Sequence, residues 1–328
     1  MRSSRSNRLN RLNELNCLND SALDPRYEDM SLFEKIRNYG SLIRFSHTVF
    51  ALPFALASVA LAWPSHPVTL RLFFWILIAM VGARSAAMAF NRVVDRKFDA
   101  LNPRTQQWEL PQGSVKVREA VILTVTSSVV FVYAAYQLNF VCFVLSPIAL
   151  TIVFFYSLTK RFTWASHLFL GLALSLAPMG AWLAVSGSPI DLPELATPFF
   201  LGLAVLFWLA GFDVIYSLQD HAFDRREGLH SIPVRFGVAG ALRFSSFFHI
   251  CTVVFLAAVG LAAQMGVIYW LGFVIVAIIL FWEHRLVTPT DLSRINRAFF
   301  DFNAYVSIGY LLTTVADVFL ITGSVIGR

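Results

Sequence analysis

The chain has 328 residues, of which 57% are hydrophobic and only 14% charged, against roughly 25% charged residues in an ordinary soluble domain. With a mean hydropathy of +0.64, this composition excludes a soluble enzyme with a large core and points to an all-α integral membrane protein. The net charge of +6 gathers on one side of the expected topology, so it gives no reason to look for nucleic acid.

In chain order, residues 1–30 come first. The run "NRLNRLNELNCLND" repeats Leu-Asn every third residue, a period that fits neither a helix face nor a strand. It lacks the apolar core of a signal peptide and is expected to be a disordered cytosolic tail, with Met30 as an alternative start. Ser31 and Glu34 have the spacing of a capping box. With Leu32, Phe33, Ile36 and Tyr39 apolar, residues 31–40 are expected to form a short interfacial helix.

Residues 41–328 then form one polytopic domain in two halves, about 41–160 and 161–328. Nine apolar stretches lie near 41–63, 70–91, 118–137, 139–159, 163–186, 195–218, 239–264, 267–283 and 299–325. A helix needs about 20 residues to cross a bilayer, and backbone polar groups in lipid must be bonded internally, so helices are the expected form. The tightest divisions fall at Leu138–Asn139 and Gln264–Gly266. The N-terminal segment and the loops after even-numbered stretches hold nearly all 26 Lys and Arg, which places them in the cytosol. Cys17, Cys142 and Cys251 make neither a disulfide framework nor a zinc site.

Where the second stretch runs out, "NRVVDRKFDALNPRT" sets Asn91, Asp95 and Asp99 at i, i+4 and i+8, stacked on one helix face. The same spacing returns in "DVIYSLQDHAFDRREG" as Tyr216, Asp220 and Asp224, with Asp213 one heptad before Asp220. Among twelve Asp one such pair is expected by chance, and Asp20 with Asp24 supplies it. Two pairs in one register, each at the cytosolic end of an even-numbered stretch, mark a site.

Mg²⁺ takes oxygen ligands and usually combines one or two carboxylates with substrate phosphates. Asp95, Asp99, Asp220 and Asp224, with the Asn91 amide oxygen, are therefore the expected metal ligands, facing a diphosphate. Arg104, Arg225, and Lys160 with Arg161 of "YSLTKRFTW" supply balancing positive charge. Arg92, Arg96 and Arg226 are either further phosphate ligands or cytosolic anchors. Arg44, and Arg84 one heptad before Asn91, lie at a depth where a charged residue is a functional candidate. They either recognise an anion, diphosphate or a carboxylate, or pair structurally with Asp213 or Asp317. His47 and His167 are expected to be satisfied by hydrogen bonds between helices. No phosphate-loop or dinucleotide-binding glycine motif is present. A cation transporter is the rival from another class, but its charges would lie near the midplane on broken helices.

With these motifs on the page, the chain resembles the UbiA-type membrane prenyltransferases from about Leu42 to Arg328. The resemblance rests on Asn91, Asp95 and Asp99, on Tyr216, Asp220 and Asp224, and on "NPRT", "YSLTKRFTW" and "GLHSIPVRFG". Within the family it is closest to the 4-hydroxybenzoate polyprenyltransferase-like branch. The resemblance implies nine transmembrane helices around a central cavity with a cytosolic cap; the tail lacks a transit-peptide pattern, so the bacterial inner membrane is the expected location. It implies Mg²⁺-dependent transfer of a polyprenyl group from a polyprenyl diphosphate to an aromatic acid. The expected acceptor is 4-hydroxybenzoate, for ubiquinone; a dihydroxynaphthoate, for menaquinone by the futalosine route, is the alternative. Tyr216 would join the diphosphate-binding residues, Arg44, Arg84 and Asp213 would hold the aromatic substrate, and no protein partner is implied. Two positions depart from the family pattern: Arg92, where ubiquinone-type members often carry Asp, and Trp108, where many relatives carry Arg.

Overall fold

The computed structural model describes residues 30–43, 48–187 and 193–322. The expected tail, Arg44 and His47 lie outside them. The described residues are helical, with a lone backbone bridge between Thr288 and Asp291.

Helix α1 (Leu32–Leu42) covers the stretch expected to be helical, and its capping box is formed: Glu34 N donates to Ser31 Oγ at 3.3 Å and Ser31 N to Glu34 Oε2 at 2.8 Å. The hydrogen bonds from the Ser31 backbone and hydroxyl hold the Glu34 carboxyl below its usual value. Then follow α2 (Thr48–Ala62), α3 (Leu70–Leu101), α4 (Val117–Leu138), α5 (Phe140–Thr159), α6 (Ser166–Ser186), α7 (Ala196–Ser217), α8 (His221–Glu227), α9 (Ile232–Ala262), α10 (Val267–Leu286) and α11 (Asn303–Asp317). A turn at Ile295–Arg297 and π-helical segments at Ala298–Phe302 and Val318–Thr322 extend α11.

Among the described residues eight helices are long and apolar enough to cross a membrane, counting α7 with α8 as one and α11 with its flanks as one. The first expected span is represented by α2, whose 15 residues fall short of the roughly 20 a crossing needs. Both tight divisions are real. Asn139 caps α5 through Cys142 N at 2.8 Å, and its Nδ2 donates to Leu183 O on α6 at 2.8 Å. The second division turns at Gln264, with φ of 50°.

Two compact units are present. The described residues of Met1–Ser46 with Val81–Val130 make the first, and those of His47–Met80 with Phe131–Arg328 the second. The first has a small core of Leu42, Leu110, Val115 and Ala120. In the second, α7 is the central helix, packed on α6 and α9, and its Trp208 is fully buried against Phe54 and Phe212. Small residues set these approaches. A Cβ on Gly171 of α6 would fall on the Leu206 carbonyl oxygen of α7, and one on Gly211 of α7 would strike the His249 ring of α9.

The last two long helices of this unit are fastened at both ends. Asn303 Nδ2 on α11 meets the fully buried Glu283 Oε1 of α10 at 3.4 Å. At the opposite end the Asp317 carboxylate of α11 accepts from Gly266 N at 2.7 Å and Tyr269 N at 3.1 Å, amides that a helix start leaves without intrahelical partners.

Candidate active site

The first acidic motif lies in the first unit, on the last three turns of α3, which continues ten residues past the apolar stretch to Leu101. Its amide and first carboxylate meet: Asn91 Nδ2 donates to Asp95 Oδ2 at 2.9 Å. Asp99 is buried and faces Arg92, whose guanidinium nitrogen lies 3.4 Å from Asp99 Oδ2. The chain turns back after α3 because Thr105 Oγ1 donates to the Asp99 carbonyl at 2.8 Å.

This return brings Trp108 under Arg92, with the guanidinium carbon 3.8 Å from the ring centre, and Arg104 lies 5.5 Å from the same ring. The two positions that depart from the family pattern are therefore in contact. Arg92 is committed to Asp99 and Trp108, and Arg96 donates to its own helix at Val93 O, 2.8 Å. Arg84 lies two turns deeper on the same helix, half-buried.

The second motif lies in the second unit. Sequence spacing puts Tyr216, Asp220 and Asp224 on one continuous helix, but the structure tightens to a 3₁₀ turn at Leu218–Asp220 before α8 begins. Helix ends commonly close this way, because shorter bonds satisfy the last carbonyls; here Leu218 N reaches Ile215 O and Tyr216 O. Asp220 and Asp224 are both buried. Lys160, in the turn after α5 with Arg161, brings its Nζ within 4.0 Å of Asp224 Oδ2. That turn is held in place by His230 N donating to Lys160 O at 2.7 Å.

The stretch "GLHSIPVRFG" now has a reason. Gly228 ends α8 at φ 70°, Ser231 caps α9 through Val234 N, and Gly237 breaks the helix at φ 71°. Such φ values are open to glycine at little cost. Arg225 is exposed at the tip of α8, while Arg226 pairs with Glu227 at 3.0 Å.

Deeper along α7, Asp213 Oδ2 lies 2.6 Å from His167 Nδ1 on α6, which meets the expectation that His167 is bonded between helices. Asp213 thus meets a histidine, and Asp317 the start of α10. Two contacts were not anticipated. The Tyr216 ring stacks on Phe299 with centroids 4.0 Å apart. Phe299 itself sits in the π-helical segment whose carbonyls, Ala298 O and Phe299 O, accept from Asn303 Nδ2 at 3.1 and 3.2 Å.

Among the described residues no three His, Cys, Asp or Glu side chains form a ready-made metal cage. Each motif instead offers a pair of carboxylates, and the first adds an amide oxygen. That donor set fits Mg²⁺, which rarely uses an all-protein cage and completes its shell with phosphate oxygens and water.

Comparison with known proteins agrees with this chemistry. Residues 51–306 match the model of the UbiA prenyltransferase family. The chain is 30% identical to a 4-hydroxybenzoate octaprenyltransferase of Nitrosospira multiformis over 82% of its own length and 92% of that protein's. It is 29% identical to 4-hydroxybenzoate geranyltransferase 1 of Lithospermum erythrorhizon, over 82% and 88%. A UbiA homolog from Aeropyrum pernix K1 superposes with a TM-score of 0.76 at 34% identity, covering 83% of this chain and 98% of that one. One from Archaeoglobus fulgidus, bound to GPP and Mg²⁺, shares the fold at 20% identity, with a TM-score of 0.64 over 85% and 99%. This multi-pass membrane protein is an enzyme that belongs to the UbiA prenyltransferase family.

Proposed function

We propose that the chain transfers a polyprenyl group from an allylic polyprenyl diphosphate to the ring of 4-hydroxybenzoate, in the respiratory quinone biosynthesis of a bacterial cytoplasmic membrane. The observation that supports the acceptor is the similarity, across most of both chains, to proteins named for 4-hydroxybenzoate prenyl transfer. The one-sided distribution of Lys and Arg supports an N-terminus and a reaction centre on the cytoplasmic side.

Asp95, Asp99, Asp220 and Asp224, with Asn91, would hold Mg²⁺, which when bound draws charge from a leaving diphosphate. Lys160, Arg161, Arg104, Arg225 and the Tyr216 hydroxyl bind phosphate oxygens and stabilise the charge that grows there as the allylic carbon–oxygen bond breaks. Arg44 and Arg84, with Asp213, orient the aromatic acid, the arginines through its carboxylate. The surrounding apolar helices keep water from the allylic cation, so that the ring carbon ortho to the hydroxyl is the nucleophile it meets.

The test is transfer from geranyl diphosphate in membranes holding the wild-type chain, Asp95→Ala or Asp220→Ala, with Mg²⁺ supplied. Both variants should insert at wild-type levels and lose transfer by at least ~10³-fold. Normal turnover in either one would overturn the metal assignment. A panel of 4-hydroxybenzoate and dihydroxynaphthoates tests the acceptor: turnover of a naphthoate alone would move the chain to the menaquinone reading.

A further inference from the structure

The His167–Asp213 pair is unusual for a fastener between helices. His167 is fully buried, and its Nε2 has no hydrogen-bond partner among the described residues. Asp213 keeps 19% of its side chain open, and His167 is its only hydrogen-bond partner among the described residues. The acid is thus the partly open member of the pair and the histidine the fully buried one. The short approach is built in: Gly171, one turn after His167, lets α6 press against the Leu206 backbone of α7, and Leu206 lies two turns before Asp213 on that helix.

Position along α7 gives the pair a use. Asp213 lies seven residues before Asp220. At about 1.5 Å per residue it sits about 10 Å further from the end that would engage a diphosphate. The reaction proposed above leaves one problem that no motif residue solves, because the ring carbon that is attacked still carries a hydrogen.

Resting on that reading, we infer that Asp213 is the base that takes this ring proton and that His167 is the positioning residue bonded to it, aiming the carboxylate. The steps balance. The allylic C–O bond breaks and its electrons leave with the diphosphate. A ring π pair forms the new C–C bond; the C–H bond at the same carbon then breaks, its electrons restore aromaticity and its proton goes to Asp213. In the pair the charge falls from −1, carboxylate with neutral imidazole, to zero, carboxylic acid with neutral imidazole. The proton then leaves Asp213 for solvent as the products depart. His167 donates from Nδ1 and stays neutral, because its buried Nε2 has no hydrogen-bond partner among the described residues that could deliver a proton to it.

The experiment compares full-length wild type, His167→Phe and His167→Gln in reconstituted membranes, with geranyl diphosphate and 4-hydroxybenzoate, either protiated or deuterated ortho to the hydroxyl. Loss of general-base support costs about 10²-fold or more, so His167→Phe should lower kcat by that amount with KM for both substrates little changed. Proton loss then becomes slow enough to show a deuterium isotope effect of about 2 or more, where wild type shows about 1. His167→Gln keeps an amide donor for Asp213 and should recover about tenfold of the lost kcat.

Wild-type kcat in His167→Phe would overturn the inference. So would a loss that raises both KM values without an isotope effect, which is what a purely structural role produces. If the wild-type chain prenylates the ring and only these signatures are missing, the base assignment fails alone. If the wild-type chain forms no ring-prenylated product with any acceptor, the reading beneath it fails too.

Discussion

Gly171→Ala probes a close approach of a side chain to a helix backbone in the second unit. A Cβ at this position lies 3.1 Å from the carbonyl carbon and 3.3 Å from the Cα of Leu206, and closer still to its oxygen. All three are backbone atoms that no rotamer change can move. Ordinary contact needs about 3.5 Å or more, so α6 and α7 must part by about 1 Å. Overpacking of this kind costs about 1–3 kcal/mol.

The same parting acts on His167 and Asp213, which lie on the facing surfaces near this contact. Their 2.6 Å hydrogen bond would lengthen past the normal range of about 3.2 Å. Thermal unfolding of the detergent-purified chain should show a midpoint lowered by about 2–4 °C for each kcal/mol lost. Prenyl transfer by the folded fraction should fall by about tenfold, the effect of roughly 1.4 kcal/mol at the barrier. An unchanged midpoint with unchanged transfer would refute the packing argument.

Two further outcomes follow from contacts within each unit. Asp317→Ala strips the acceptor from Gly266 N and Tyr269 N and should cost about 2 kcal/mol. It should lower the unfolding midpoint while the folded enzyme keeps wild-type KM values; wild-type stability would show that these amides find other partners. Trp108→Ala removes the ring under the buried Arg92, a cation–π contact worth about 1–2 kcal/mol when desolvated. Trp108→Phe should restore part of the loss in the same unfolding assay, and equal midpoints for all three chains would refute the contact's role.

Local signals carried far in this chain. The apolar runs located the long helices to within a few residues, and Ser31 with Glu34 announced the start of α1 because a capping box is made within four residues. The acidic spacing of Asn91, Asp95 and Asp99 was enough to extend α3 beyond the bilayer, since only a continuing helix stacks such residues. What was hidden is non-local. The partner of Asp213 lies 46 residues away on α6, and nothing in either helix alone names it. The 3₁₀ turn before Asp220 reflects how a helix end meets its surroundings, and the Phe299 stack on Tyr216 depends on a π-helical segment that Asn303 holds. Arg92 facing Asp99 was closer to hand, because residues seven apart share a helix face. Phosphate binding and anchoring at the cytosolic surface both account for such an arginine, and the spacing alone does not choose between them and the pair.

The double fastening of α10 to α11 bears on how the protein is made. A helix delivered singly to the bilayer would present Glu283 to hydrocarbon, at a cost of order 3 kcal/mol on insertion scales. Its amide partner arrives only with the next helix to leave the ribosome, and Asp317 follows with the acceptor for the start of α10. Release of the two as a preassembled hairpin avoids that exposure, so truncation ahead of residue 303 should strand α10 at the translocon and mark it for degradation.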